Sequence, residues 1–225
     1  MENIKVLLVD DHALMRQGIR SFISQTDDME VVGESGDGPD AYDKVRALGP
    51  DVVITDIKLP LMDGLELTRR IRLNFPRAAV IILTAHDDEE QLFNAIKVGA
   101  ASYCTKDVSG DDLTAIIRRV CQGEYLINES VLTKPKVASR VLKQFRDLSL
   151  AGQEIVPLFV PLSPREIEIL DWIAKGNSNK QIARELKISD QTVKNHITSI
   201  LRKLAVNDRT EAVVFALRRG WIKID

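Results

Sequence analysis

The stretch Ile4–His12 reads IKVLLVDDH, a run of valine, isoleucine and leucine that passes directly into two acids and a histidine. A short, nearly unbroken apolar run bounded by polar residues suits a strand buried on both faces, as in a parallel sheet covered by helices. Four further runs have the same form: Glu30–Gly33, Val52–Thr55, Ala79–Thr84 and Ala101–Thr105. The segments between them carry apolar residues at helical spacing, for example Leu14, Met15, Ile19, Phe22 and Ile23, or Leu113, Ile116, Ile117 and Val120. Five strand–helix pairs predict an α/β domain with a doubly wound, five-stranded parallel sheet. Right-handed crossovers then gather the residues that follow the strands at one edge: Asp10 and Asp11, Asp56, Thr84 and Lys106.

Charge divides the chain. Residues 1–128 hold 14 Lys and Arg against 22 Asp and Glu, whereas residues 162–225 hold 12 against 8. An acidic front and a basic back predict two domains with different partners, the second a polyanion. With 44% hydrophobic and 28% charged residues the chain has the balance of a water-soluble protein. No apolar run is long enough to span a membrane, the start MENIKVLLVDD lacks the basic, apolar form of a signal peptide, and Cys104 and Cys121 form no CxxC pair. A cytoplasmic protein without a membrane partner is expected.

The back of the chain reads as helices. Ser163-Pro164-Arg165-Glu166 is a capping box with proline in the first turn, and Gly176 stops the helix it starts. Ser178–Gln181 is a second box, Ser189 or Asp190 caps a third helix, and a fourth is expected over about Thr210–Arg219. Gln181–Leu186 and Asp190–Leu204 fit a helix-turn-helix whose second helix enters the major groove. Lys194, Asn195 and Thr198 share its exposed side, opposite Val193, Ile197 and Ile200. Lys suits guanine and Asn adenine, with Thr192 and Lys180 as phosphate contacts. Between the domains, Val137, Val141, Leu142, Phe145 and Leu148 form one helical stripe beginning near Pro135. The stripe fits equally a surface packed on the first domain, a dimer contact and a spacer. Leu150–Pro161 reads as linker. The expected boundaries are 1–125, 126–160 and 161–225.

Three carboxylates at neighbouring strand ends repel one another unless a cation compensates them, and Mg²⁺ with its oxygen ligands is the usual answer. Lys106 and Thr84 complete the outline of a pocket for a phosphoryl group on Asp56. The motifs VDDH (Val9–His12), ITDIKLPLMDG (Ile54–Gly64), LTA (Leu83–Ala85) and YCTK (Tyr103–Lys106) resemble the receiver domain of bacterial two-component response regulators, a flavodoxin-like fold. The resemblance implies that Asp56 accepts a phosphoryl group from a sensor histidine kinase. It also implies that Asp11, Asp56 and the backbone carbonyl of Lys58 bind Mg²⁺ with Asp10 acting through water, that Lys106 pairs with the phosphoryl, and that Thr84 and Tyr103 move as switches. His12 reads as a solvated helix-start residue, His86 and Lys58 as flanks of the pocket, and Asp87–Glu90 as a helix N-terminus.

Residues 160–223, with SPRE, TVKNHI and NDRTEAV, resemble the LuxR-type DNA-binding domain, and the two together resemble the NarL/FixJ family of transcriptional regulators. The family implies a phosphorylation-controlled transcription factor, not an enzyme, that binds double-stranded promoter DNA as a homodimer, with RNA polymerase as a further partner and the segment near Thr210–Ala216 as the dimer contact. Lys187 departs from the glycine common in such turns. The sequence admits two other readings. One is an atypical regulator switched by ligand, partner or redox. The other is an aspartyl-phosphate phosphatase or mutase, which Lys58 argues against because haloacid-dehalogenase-type enzymes carry an acid there.

Overall fold

The computed structural model describes residues 3–127, 134–141, 162–204 and 206–222. The first part alternates strand and helix: β1 (Ile4–Val9), α1 (Ala13–Ile23), β2 (Met29–Ser35), α2 (Gly38–Leu48), β3 (Val52–Asp56), α3 (Gly64–Asn74), β4 (Ala79–Thr84), α4 (Glu89–Val98), β5 (Ser102–Thr105) and α5 (Gly110–Cys121). All strand pairs are parallel, in the order β2-β1-β3-β4-β5. Strand alternation explains the two-sided core. Val6, Leu8 and Ile54 pack with Ile19, Ile23, Ile117 and Val120 of α1 and α5, while Leu7, Val9 and Val53 pack with Val45, Leu67 and Ile71 of α2 and α3. The expected fold is the one observed. Its strand limits differ slightly: β2 reaches Ser35, whose buried hydroxyl bonds Asp40 Oδ2 at 2.6 Å, and β3 ends on Asp56 itself.

Four of the five helices start on a side chain that accepts a backbone N–H: Asp37 for α2, Asp63 for α3, Asp88 for α4 and Ser109 for α5, while α1 starts at His12 without one. These caps fix the loops at the C-terminal ends of the strands. Because β1 lies between β2 and β3, the chain reverses its winding beside β1, the place where such sheets open a crevice.

The second part is helical: α6 (Pro164–Ala174), α7 (Asn179–Glu185), α8 (Asp190–Leu204) and α9 (Arg209–Arg218). Both expected capping boxes form, at Ser163 with Glu166 and at Ser178 with Gln181. Ser189, rather than Asp190, caps α8, accepting Thr192 N–H at 3.0 Å. The fourth helix starts and ends one residue earlier than expected.

Residues 135–141 are helical and answer part of the question the linker stripe posed. Val137 is fully buried among Leu92, Phe93 and Tyr103, and Val141 packs at the edge of the same cluster. Arg140 forks onto Glu90 at 2.5 and 3.1 Å and lies 4.2 Å from the centre of the Phe93 ring, while Lys134 pairs with Asp87. The described part of the stripe therefore packs on the first domain, against α4. Leu142, Phe145 and Leu148 lie outside the described residues, as does the Leu150–Pro161 linker.

Candidate phosphoacceptor pocket and nucleic-acid interface

The strand ends bring four residues together. Ligand atoms of Asp10, Asp11, His12 and Asp56 all lie within 4.8 Å of one another. Asp10 and Asp56 are 3% and 7% exposed, while Asp11 and His12 are exposed. Lys106 Nζ reaches both buried acids, at 2.7 Å to Asp10 Oδ2 and 2.7 Å to Asp56 Oδ2. Burial alone would lower the Lys106 pKa, but hydrogen bonds and charge from Asp10 and Asp56 outweigh it and raise it. The ammonium therefore stays charged at neutral pH. His12 is the N-cap of α1, as its helix-start reading requires, and its Nδ1 also lies 2.7 Å from Asp11 Oδ1 and 3.2 Å from Asp10 Oδ1.

Three carboxylates face one lysine here, so acids outnumber bases at these strand ends. That donor set, all oxygen and partly buried, suits a hard dication such as Mg²⁺.

The remaining pocket residues line the next strand ends. Thr84, the last residue of β4, is buried, and its hydroxyl donates toward Gln91 Oε1 at 3.0 Å and His86 O at 3.2 Å. Tyr103 is buried on β5, with its hydroxyl 3.4 Å from both His86 O and Asp88 O. Desolvation raises its pKa, so the phenol stays a donor. Lys58 and His86 are exposed. Gly64 comes so close to Asp56 that a Cβ added there would sit 1.9 Å from the Asp56 carbonyl oxygen.

On the helical side, α7 and α8 meet through a turn in which Lys187 adopts φ +52°. A non-glycine residue in this region costs roughly 1 kcal/mol. Ile188 N–H donates to Ala183 O at 3.0 Å, and Arg165 Nη2 donates to Leu186 O at 2.6 Å, which together hold the turn. Val193 and Ile200 point into the core with Ile197 partly buried, so Lys194, Asn195 and Thr198 are left on the exposed face. Lys194 pairs with Asp190 at 2.7 Å, and Asn195 Oδ1 accepts from Gln191 Nε2 at 3.1 Å. Lys180 is exposed in the first turn of α7 and Thr192 is half-buried beside Ser189. Among the described residues, nothing of the first domain covers these three exposed side chains. The two domains meet elsewhere: Arg72 Nη2 donates to Leu162 O at 2.5 Å, Trp221 Nε1 donates to Leu73 O at 3.1 Å, and Arg77 pairs with Asp171.

Comparison with known proteins agrees with both halves. The response regulator receiver domain model matches residues 6–118, and the model of bacterial regulatory proteins of the luxR family matches residues 160–216. The chain is 35% identical to the transcriptional regulatory protein DegU of Brevibacillus brevis, over 98% of this chain and 96% of that one. It is 38% identical to the response regulator protein VraR of Staphylococcus epidermidis, over 98% and 99%. The chain belongs to the NarL/FixJ family of response regulators. Among solved structures, the regulator is similar to RcsB from Salmonella enterica serovar Typhimurium, bound to promoter P1flhDC in the presence of the phosphomimetic BeF3−. That likeness has a TM-score of 0.53 and 25% identity over 97% of this chain and 98% of that one. This family is one of DNA-binding transcriptional regulators controlled by phosphorylation. Among the described residues no helix is long and apolar enough to cross a membrane.

Several contacts of the regulator were not read from sequence. Asp87 and Glu90 do more than charge a helix start: only Asp88 caps α4, while its neighbours hold Lys134 and Arg140. Arg72 is 1% exposed although charged. The buried residues of α3 are Gly64, Leu67, Thr68, Ile71 and Arg72, so helical phase alone marked that arginine as inward-facing. Burial raises the Cys104 thiol and, with Asp51, pushes Cys121 to about 12. Both stay protonated at neutral pH, which takes support from a redox switch at these thiols.

Proposed function

We propose that the regulator takes a phosphoryl group on Asp56 from a sensor histidine kinase and answers by pairing on promoter DNA. The observation that carries the reading is Lys106 bridging Asp10 and Asp56 at 2.7 Å within a carboxylate cluster. Lys106 engages Oδ2 of Asp56, so Oδ1 is the oxygen without an ammonium partner and acts as nucleophile. The new bond is between Asp56 oxygen and phosphorus; the bond that breaks is between phosphorus and the kinase's histidine nitrogen, which keeps the electron pair. Lys106 then stays beside the acyl phosphate and offsets charge on its oxygens. Asp10, Asp11, Asp56 and the Lys58 carbonyl would hold Mg²⁺, which supplies positive charge against the added phosphoryl oxygens. The phosphoryl brings roughly −1.5 to −2 charges into the pocket, and Thr84 turns to donate to it with Tyr103 following.

In this reading residues 1–125 form the receiver, 126–160 the linker and 161–225 the DNA-binding domain of a cytoplasmic protein. The paired state is a homodimer joined near Thr210–Ala216 that places two copies of α8 in successive major grooves and positions RNA polymerase. Lys194, Asn195 and Thr198 read base edges, while Thr192 and Lys180 hold phosphates. Lys194→Ala is expected to weaken binding to a cognate promoter about tenfold or more, with less than about a threefold change on unrelated duplex at the same salt. Titration of both duplexes by fluorescence anisotropy checks it. Equal losses on both would assign Lys194 to a phosphate. The control by phosphorylation is tested by the same titration with beryllofluoride: the wild type gains affinity and dimer, whereas Asp56→Asn gains neither.

A further inference from the structure

The Thr84 hydroxyl has one proton and several claimants. It lies 3.0 Å from Gln91 Oε1 and 3.2 Å from His86 O, and it accepts His86 N–H at 3.4 Å. Gln91 is fixed in turn: it stands in the first turn of α4, where its own N–H donates to Asp88 Oδ1 at 2.8 Å. A hydroxyl donates a single hydrogen. Thr84 cannot bond Gln91 and a phosphoryl oxygen on Asp56 with the same proton.

We propose that Gln91 is a positioning residue that holds Thr84 in its unphosphorylated arrangement and so sets how readily an acyl phosphate on Asp56 is read. The inference rests on the Asp56 reading given above. An acceptor that favours the resting arrangement lowers the fraction of molecules ready for the phosphorylated one, and the apparent affinity for a phosphoryl mimic falls by that fraction. The stretch His86–Glu90 that leads into α4 carries the next links. Tyr103 bonds the carbonyls of His86 and Asp88, Glu90 holds Arg140, and Asp87 holds Lys134. Thr84 and the helix at residues 135–141 are therefore held by the same short stretch of chain.

The test is a calorimetric titration of the full-length protein with beryllofluoride at saturating Mg²⁺. Gln91→Leu keeps the size of the side chain and removes the acceptor, and it is expected to bind about fivefold tighter than the wild type. Gln91→Glu retains an acceptor for Thr84 and is expected to bind no tighter. In a Thr84→Ala background Gln91→Leu should change nothing, because the bond it removes is already gone. Unchanged or weaker binding by Gln91→Leu overturns the proposal. So does an equal gain in the Thr84→Ala background, which would place the effect in α4 itself. Equal beryllofluoride binding by the wild type and Asp56→Asn would instead overturn the Asp56 reading, whatever Gln91 does.

Discussion

Gly64→Ala is expected to disable the acceptor site without touching any of its charged groups. The added methyl carbon would lie 1.9 Å from the Asp56 carbonyl oxygen, 2.9 Å from its carbonyl carbon and 3.0 Å from Ile57 Cα. All three are backbone atoms, so no side chain can swing away. Gly64 N–H also donates to Ile57 O at 2.8 Å, and Asp56 is locked in register with Leu83 of β4. Either the start of α3 moves out or Asp56 moves down. The strain of forcing an extra carbon into a packed position is about 3 kcal/mol, which lowers the melting temperature by roughly 6–12 °C for a chain of this size. A shift of about 1 Å at a reacting atom costs on the order of a hundredfold in rate. The comparison is with Gly18→Ala, in the middle of α1, where the new carbon meets nothing within 4 Å. That change should stabilise slightly, by about 0.5–1 kcal/mol. Thermal melts and initial rates of phosphorylation from acetyl phosphate distinguish the two. Gly64→Ala behaving like Gly18→Ala would show that the α3 start is not seated against Asp56.

Arg72→Ala is expected to have the second largest effect, on stability and domain docking together. The side chain is 1% exposed and its guanidinium is shared among four oxygens. Nη1 donates to Pro76 O at 2.7 Å and Ala78 O at 2.6 Å, and Nη2 donates to the Tyr125 hydroxyl at 3.0 Å and Leu162 O at 2.5 Å. Removing the donors strands buried carbonyls, each at about 1–3 kcal/mol before water re-enters. A net loss of about 3 kcal/mol is expected. Lysine cannot restore it, since a single ammonium does not span a planar fork of acceptors. Leu162 leads directly into the Ser163 cap of α6, so the same change should loosen the DNA-binding domain and raise the radius of gyration in small-angle scattering. Trp221→Phe, which keeps a ring but loses the donor to Leu73 O, should expand the molecule with little loss of receiver stability. An Arg72→Ala protein with unchanged melting and unchanged dimensions would contradict this account of the interface.

The parts of the structure legible in sequence are those governed by local rules. Strands buried on both faces are unbroken apolar runs, and the capping residues Ser163, Ser178 and Asp88 stand beside the helices they start. The pocket was legible because strand order follows from winding, and winding delivers Asp10, Asp56, Thr84 and Lys106 to one edge. What sequence did not disclose is pairing across distance. Arg140 meets Glu90 across 50 positions and Lys134 meets Asp87 across 47, and nothing local marks either partner. Gln91 looked like an ordinary polar residue of a helix start. Its importance comes only from standing opposite the Thr84 hydroxyl. The end of β2 was missed for a related reason: Ser35 is polar, yet Asp40 satisfies it and lets the strand continue buried.

The central claim is that Asp56 is the phosphoryl acceptor, and the most direct test is intact mass after incubation with Mg²⁺ and acetyl phosphate. The account predicts a gain of one phosphoryl group in the wild type and none in Asp56→Asn, with both proteins folded. A folded wild type that gains nothing, or an equal gain in both proteins, would contradict it.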